Sequence, residues 1–222
     1  CMQHEKYIEA LQICGLKVEI LEANDNYPDS TFIEDIALLT PHCAIITNPG
    51  AHSRKGESDD VLDTIKKYYS KIEFINEPGT IEAGDTMMVG DHYYIGLSER
   101  TNEEGAQQMT ISLEKYKLNT TLVPLKDMLH LKTGVAYLEH NKLVATGEFV
   151  SNPVFKSFEI LEIEASESYA ANCIWVNDFV IIPKGYPNAK RKIEDAGYNT
   201  IEVDVSEFKK LDGGLSCLSL RF

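Results

Sequence analysis

One arrangement recurs along this chain and constrains its fold more than any single residue does. Four times, two short apolar stretches joined by a tight polar turn are followed by a polar or helix-period stretch and then by a third apolar stretch. The paired stretches are IALLTPHCAIIT (36–47), MMVGDHYYIG (87–96), VAYLEHNKLVATG (135–147) and CIWVNDFVIIPKG (173–185), and their turns carry Pro-His, Gly-Asp, His-Asn and Asn-Asp. Residues of these types favour turns through local side-chain hydrogen bonds or tolerance of positive φ. Each pair therefore predicts a hairpin. Helix-period segments follow at SDDVLDTIKKYYSK, TNEEGAQQMTISLEKY and YPNAKRKIEDAG, with Ser58, Thr101 and Asn188 as N-cap candidates and Gly197 as a C-cap. After the third hairpin the helix is expected to be lost or shortened. Single strands IEFIN, TTLVPL, ILEIE and TIEVDV complete a ββαβ module, with about 38 to 51 residues between equivalent hairpins.

Both ends of the chain carry pieces of a further module. QHEKYIEALQICG reads as its helix and KVEILE as its last strand, while the closing GLSCLSLRF reads as a strand able to pair back onto that first module. A closed ring of modules in a single α/β domain over residues 1–222 is the expected architecture. The opening strands of the first module are expected to precede Cys1.

Composition narrows the partners. The chain has 35 acidic against 21 basic residues, a formal charge of −14, and no Lys/Arg cluster of the kind that tracks a phosphate backbone, which argues against nucleic acid. No apolar run approaches the roughly 20 residues of a membrane helix. The five cysteines, Cys1, Cys14, Cys43, Cys173 and Cys217, are widely spaced without a CxxC, so neither a disulfide framework nor a zinc ribbon is indicated. A reducing, cytoplasmic compartment fits this pattern.

Function is sought where polar residues interrupt buried strands. PDSTFIEDIALL crowds Asp29, Glu34 and Asp35 ahead of an apolar strand; Asp29 reads equally as part of a solvated turn, but one of Glu34 and Asp35 in a strand must face the core side. In TIEAGDTMMVG, Glu82 and Asp85 flank Ala-Gly and read either as acidic caps or as site carboxylates. His130 lies between leucines in DMLHLKTG, where a core histidine and a catalytic one are both open readings. Cys217 follows Gly-Gly in LDGGLSCLSLRF, and the glycines allow close backbone approach. A cysteine, a histidine and carboxylates form a nucleophile, an acid/base and an orienting group. Arg54 and Arg100 are able to grip a carboxylate bidentately, or to serve as surface ion-pair partners.

In this order, PDSTFIED, IEAGD, GLSERTNEEGA, LHLK and LDGGLSCLSL resemble the dimethylarginine dimethylaminohydrolase branch of the guanidino-modifying pentein superfamily, which includes the amidinotransferases and arginine deiminases. The resemblance runs from QHEKYIEAL to the last residues. It implies a five-bladed α/β propeller of ββαβ modules about a pseudo-fivefold axis. It implies Cys217 as nucleophile, His130 as general acid/base and Glu82 as the residue orienting His130. Asp29, Glu34 and Asp35 would line the guanidinium site, Arg54 and Arg100 would hold the substrate's α-carboxylate, and Leu211 would contribute its backbone. The implied reaction takes a methylated arginine, a small cationic guanidino compound, to citrulline and an alkylamine through a thiouronium intermediate, with no metal or organic cofactor. The alternatives are arginine deimination or amidino transfer, and a non-catalytic binding protein on the same fold. His130-Leu131-Lys132 replaces the His-x-Asp of the deiminases, which favours the dimethylargininase-like branch. Ala83 stands where a glycine is usual in the turn before Asp85. In the family, the opening strands of the first module carry a lid loop with a substrate-contacting residue.

Overall fold

All four hairpins form in the computed structural model, which describes residues 2–222; Cys1 lies outside them. Strand β1 (Ala37–Leu39) pairs antiparallel with β2 (Ala44–Ile46), and β3 (Ile72–Phe74) adds parallel to β2. The same order recurs with β4 (Thr86–Val89), β5 (His92–Leu97) and β6 (Asn119–Pro124), with β7 (Val135–Tyr137), β8 (Lys142–Ala145) and β9 (Glu159–Glu162), and with β10 (Ile174–Val176), β11 (Phe179–Pro183) and β12 (Asn199–Val203). The turn chemistry is local: Glu139, His140 and Asn141 turn the third hairpin at φ of 66°, 50° and 62°, and Asn177 turns the fourth at 53°. A parallel third strand requires a crossover. Helices α2 (Asp59–Tyr68), α3 (Glu103–Glu114) and α5 (Pro187–Asp195) supply it in three modules. In the third module, two short 3-10 turns at Gly147–Phe149 and Pro153–Phe155 stand in for the helix, as the sequence predicts.

Two N-cap expectations are corrected, and both corrections have tertiary causes. The cap of α3 is Asn102, whose side chain accepts from Gly105 N–H at 2.8 Å, because the Thr101 hydroxyl is engaged elsewhere, donating to Asp85. Helix α5 starts two residues earlier than predicted, with Tyr186 at the N-cap position, Pro187 at its first turn and Asn188 inside it. There the Glu167 carboxylate accepts the N–H groups of Asn188 and Ala189 (3.3 and 2.7 Å) and acts as the cap from a distance in sequence. Ser58 stands at the N-cap of α2 but makes no side-chain cap bond, and Gly197 follows the C-cap Ala196 of α5 at φ +98°.

The chain ends depart further from expectation. Helix α1 (Met2–Ile13) forms, but residues 17–22 make no ladder with any described strand, so KVEILE is not a strand. The tail GLSCLSLRF is likewise not a strand: Ser216–Leu218 make a 3-10 turn, and no β-bridge follows.

The described residues divide into two compact units, each made of two chain segments. One comprises the residues up to Glu22 with Lys132–Ser216; its core joins Leu138, Val144, Val180, Ile182 and Ile193. The other comprises Ala23–Leu131 with Cys217–Phe222; its core joins Ile45, Ile81, Tyr93, Ile95, Met109 and Leu113. Two short helices, α4 (Leu131–Gly134) and α6 (Ser206–Lys209), complete the regular structure.

Candidate active site

Each hairpin's first strand is approached through a turn, and in the Ala23–Leu131/Cys217–Phe222 unit these turns carry the charged residues. The turn before β1 is a 3-10 stretch, Ile33–Ile36. The expectation that Glu34 and Asp35 alternate on a strand is therefore corrected: at about three residues per turn neither is forced outward, and both are 4% exposed. A second 3-10 turn, Ala83–Asp85, leads from Glu82 into β4. His130 precedes α4 and the third hairpin.

These turns bring the sequence-predicted groups together. His130 Nε2 lies 2.8 Å from Glu82 Oε2, and the other Glu82 oxygen accepts the Ala51 N–H at 3.1 Å. Asp35 Oδ1 accepts Gly84 N–H at 3.1 Å, and its Oδ2 takes Arg54 Nη1 at 2.6 Å. Gly84 is wedged between acid and imidazole: a Cβ there would lie 2.6 Å from Asp35 Oδ1 and 3.1 Å from the His130 ring. Ala83, one residue earlier, is accommodated and buried, so the glycine required by this geometry is the second of the turn.

The electrostatics follow from burial and mutual pairing. Burial alone would lower the His130 pKa, but the Glu82 hydrogen bond and the charges of Asp35, Asp85 and Glu82 outweigh it and raise it to about 9. The imidazole is thus held as imidazolium at neutral pH. Glu82 has the opposite balance: burial pushes its carboxyl up, while the bond to His130, the Ala51 N–H and Arg54 hold it below the usual glutamate range. Burial pushes Asp35 up against the pull of His130 and Arg54. Asp35, Glu82 and His130 each bring one potential ligand atom within 4.8 Å of the others, a spacing a metal ion could use. Those groups already have protein partners, Glu82 pairing with His130 and Asp35 with Arg54 and Gly84 N–H.

Arg54 departs from an open clamp. It is buried, with Nε and Nη2 forked onto Glu57 (2.8 and 2.6 Å), Nη2 also donating to Phe32 O and Nη1 to Asp35, so its bidentate face is occupied by the protein. One Nη1 hydrogen remains. Arg100 is half-buried in the bend after β5; its backbone N–H donates to Ser98 Oγ at 3.0 Å, and no hydrogen bond or ion pair of its guanidinium is found among the described residues. Asp29 sits half-buried in the turn of residues 28–31, its carbonyl accepting Phe32 N–H. Cys217, half-buried, opens the segment that completes this unit, and four residues on, Arg221 Nη2 reaches Glu34 Oε1 at 3.4 Å. Leu211 belongs to the other unit, in the turn after α6, 61% exposed and with its N–H bonded to Phe208 O.

Sequence reasoning undervalued two residues. Asp85 is fully buried and accepts from Ser98 Oγ (2.7 Å), Thr101 Oγ1 (2.6 Å) and Leu131 N–H (2.9 Å). It thereby joins the bend carrying Arg100 to the residue beside His130. The signal was present in IEAGD, where a second acid precedes an apolar strand. Glu57 left no signal in HSRKGESDD beyond a charged stretch, yet it is 1% exposed and holds Arg54.

Solved structures show the fold first. The N-terminal domain of ArgZ, an arginine dihydrolase from cyanobacteria, superposes with a TM-score of 0.90 at 21% identity, covering 99% of this chain and 84% of its own. The chain therefore shares the α/β fold of that domain. A family model described as N,N dimethylarginine dimethylhydrolase, eukaryotic, matches residues 1–152. The N(G),N(G)-dimethylarginine dimethylaminohydrolase of Pseudomonas aeruginosa is 58% identical over 99% of this chain and 87% of its own length, and that of Streptomyces coelicolor is 31% identical over 99% and 84%. A Cys-to-Ser mutant of the Pseudomonas aeruginosa protein, solved with citrulline, superposes with a TM-score of 0.98 at 57% identity, covering 100% of this chain and 87% of that one. This chain belongs to the dimethylarginine dimethylaminohydrolase family.

Proposed function

We propose that this protein hydrolyses a methylated arginine to citrulline and an alkylamine through a covalent adduct on Cys217. The observation that carries this reading is the buried His130–Glu82 pair at 2.8 Å, set among carboxylates in the unit that the Cys217 segment completes. The Cys217 thiolate attacks the guanidinium carbon; an S–C bond forms, and the C–N bond to the alkylated nitrogen breaks as His130 gives that nitrogen its proton. The thiouronium left behind is then attacked by water, which His130, now neutral, deprotonates. A C–O bond forms, the C–S bond breaks, the hydroxyl's remaining proton passes to solvent, where the released amine takes one up, and citrulline leaves with thiolate and imidazolium restored. An imidazolium nearby also favours the thiolate over the thiol.

Asp29, Glu34 and Asp35 are assigned to the guanidinium, keeping it cationic and electrophilic. Arg100 is assigned to the α-carboxylate, with Arg54 orienting Asp35 and offering its remaining Nη1 hydrogen, and Leu211 to a backbone contact. The two units are read as one catalytic domain with the modules of a propeller, four of whose five blades are supported by the β-β-β order that recurs four times. A cytoplasmic setting is supported by the buried thiols Cys14, Cys43 and Cys173, and no described helix is long and apolar enough to cross a membrane.

Product analysis tests the proposal. With dimethylarginine the protein is expected to release dimethylamine and citrulline, and Cys217→Ser to lose at least about 10⁴-fold in rate while keeping its circular dichroism spectrum. Ammonia from arginine at a higher kcat/KM than dimethylamine from dimethylarginine would instead make it a deiminase.

A further inference from the structure

The turn before the fourth hairpin also carries a polar side chain into apolar surroundings, although nothing in its sequence, AANCIWV, marks a site. Asn172 follows the 3-10 stretch Ala165–Ala171, two residues before β10, and is 6% exposed. It stands two residues ahead of its hairpin's first strand, as Asp35 does ahead of β1. Its amide is satisfied on both sides: Oδ1 accepts Ser216 N–H at 3.0 Å, and Nδ2 donates to Lys132 O at 2.9 Å and to Ser216 Oγ at 3.1 Å. The amide's orientation is fixed by chemistry, since the Ser216 N–H only donates and the Lys132 carbonyl only accepts.

We propose that Asn172 is a positioning residue for the reaction, tying the backbone two residues after His130 to the residue immediately before Cys217. This inference rests on the roles assigned to Cys217 and His130 above. Lys132 takes part through its carbonyl, which is compatible with the lysine found where deiminases have an acid.

The surroundings of Asn172 are built for a fixed backbone. A Cβ at Gly214 would lie 2.4 Å from Asn172 Oδ1 and 2.5 Å from its Cγ, so the glycine lets the loop lie directly on the amide. Tyr169 OH donates to Gly213 O at 2.7 Å, and Tyr7 OH donates to Leu215 O at 2.9 Å. Lys209 Nζ sits 4.9 Å from the Tyr169 ring centroid and donates to Tyr186 OH at 2.8 Å. The approach to Cys217 is therefore held at Gly213 O, Leu215 O and Ser216 N–H. A displacement of about 1 Å in a reacting group can cost about 10²-fold in rate, so a bond that spaces these two segments acts on kcat more than on substrate affinity.

The test uses Asn172→Asp, which is isosteric and keeps an acceptor for Ser216 N–H but loses the donor to Lys132 O, beside Asn172→Ala. Melting temperature, kcat and KM with dimethylarginine, and iodoacetamide labelling of Cys217 followed by peptide mass spectrometry are measured for each. In folded Asn172→Asp, kcat is expected to fall about 10²-fold with KM changed less than about threefold, and Cys217 labelling at pH 7 to slow. A kcat within about threefold of the parent, or a loss expressed through KM alone, overturns the proposal. So does failure of both variants to fold, which would make Asn172 a stability residue. Should the parent form no citrulline, the proposed function falls, and the labelling rates alone decide whether Asn172 positions the thiol.

Discussion

The module of β4, β5, α3 and β6 and that of β10, β11, α5 and β12 share one plan and differ at one place. Both pair two strands antiparallel and add a third parallel after a helix. The turn before β4 holds Glu82 and Asp85, whereas the turn before β10 holds Ala170, Ala171 and the neutral amide of Asn172. A buried charge needs partners, and the strands of its own hairpin cannot supply enough of them. Glu82 draws on Ala51 and His130, and Asp85 on Ser98, Thr101 and Leu131, so the charged module binds residues from the modules before and after it. The module of β10 and β11 is satisfied by apolar volume around Val180, Ile182 and Ile193 with one amide at its turn. The same scaffold thus carries either chemistry or packing, and the turn before the first strand decides which.

The largest expected effect strikes the charged side of this comparison. Asp35→Ala removes the acceptor of Arg54 Nη1 and of Gly84 N–H, leaving a buried guanidinium with Glu57 as its remaining carboxylate. Breaking a buried pair in this way typically costs about 3–5 kcal/mol. Urea unfolding at pH 7 should show a loss of that size; a loss below about 1 kcal/mol, the scale of an exposed pair, would mean that the acid-lined network, which reaches the turn before β4 through Gly84 N–H, does not support the fold.

Next in size is Glu82→Gln, which keeps the shape but removes the charge that holds His130 protonated. His130 has a folded pKa near 9 against 6.5 for the free side chain. Its stabilising contribution is therefore fully present below 6.5 and is lost as pH rises through 9. In Glu82→Gln the alkaline limb of the kcat profile should move from near 9 toward neutral pH, and kcat at pH 7.5 should fall about 10²-fold, the scale of general acid–base catalysis. An unmoved limb would show that Asp35 and Asp85 alone set the imidazole and that Glu82 only packs.

How far the sequence foretold this depends on whether a signal was local. Four hairpins, three helices, the lost third helix and the group His130, Glu82, Asp35 were legible because turn residues, alternation and acids before apolar runs all act within a few residues. The caps of α3 and α5 were misread because their decisive partners, Asp85 for the Thr101 hydroxyl and Glu167 for the Asn188 N–H, are set by tertiary contact. KVEILE and GLSCLSLRF have the composition of strands, but a strand exists only by its ladder, and neither has one among the described residues. Arg54 stood out in the sequence as a possible carboxylate clamp but not as a buried ion-pair partner, since Glu57 looks like any surface acid until the 3-10 turn at His52–Arg54 brings the two together.

The smallest effect tests the apolar side. Ile182 in β11 is fully buried and pairs in register with Glu202 of β12. Ile182→Val removes one methylene without changing charge, hydrogen bonding or β-branching, and should cost about 0.5–1.5 kcal/mol in urea unfolding. Because no titrating group of the candidate site belongs to that core, the pH limbs of kcat should stay where the parent has them. The contrast with Glu82→Gln is the informative quantity: stability moves with little change in pH dependence in one module, and pH dependence moves in the other. A shift of the alkaline limb in Ile182→Val would show that core packing around β11 reaches the imidazole, and the division of labour between the two modules would fail.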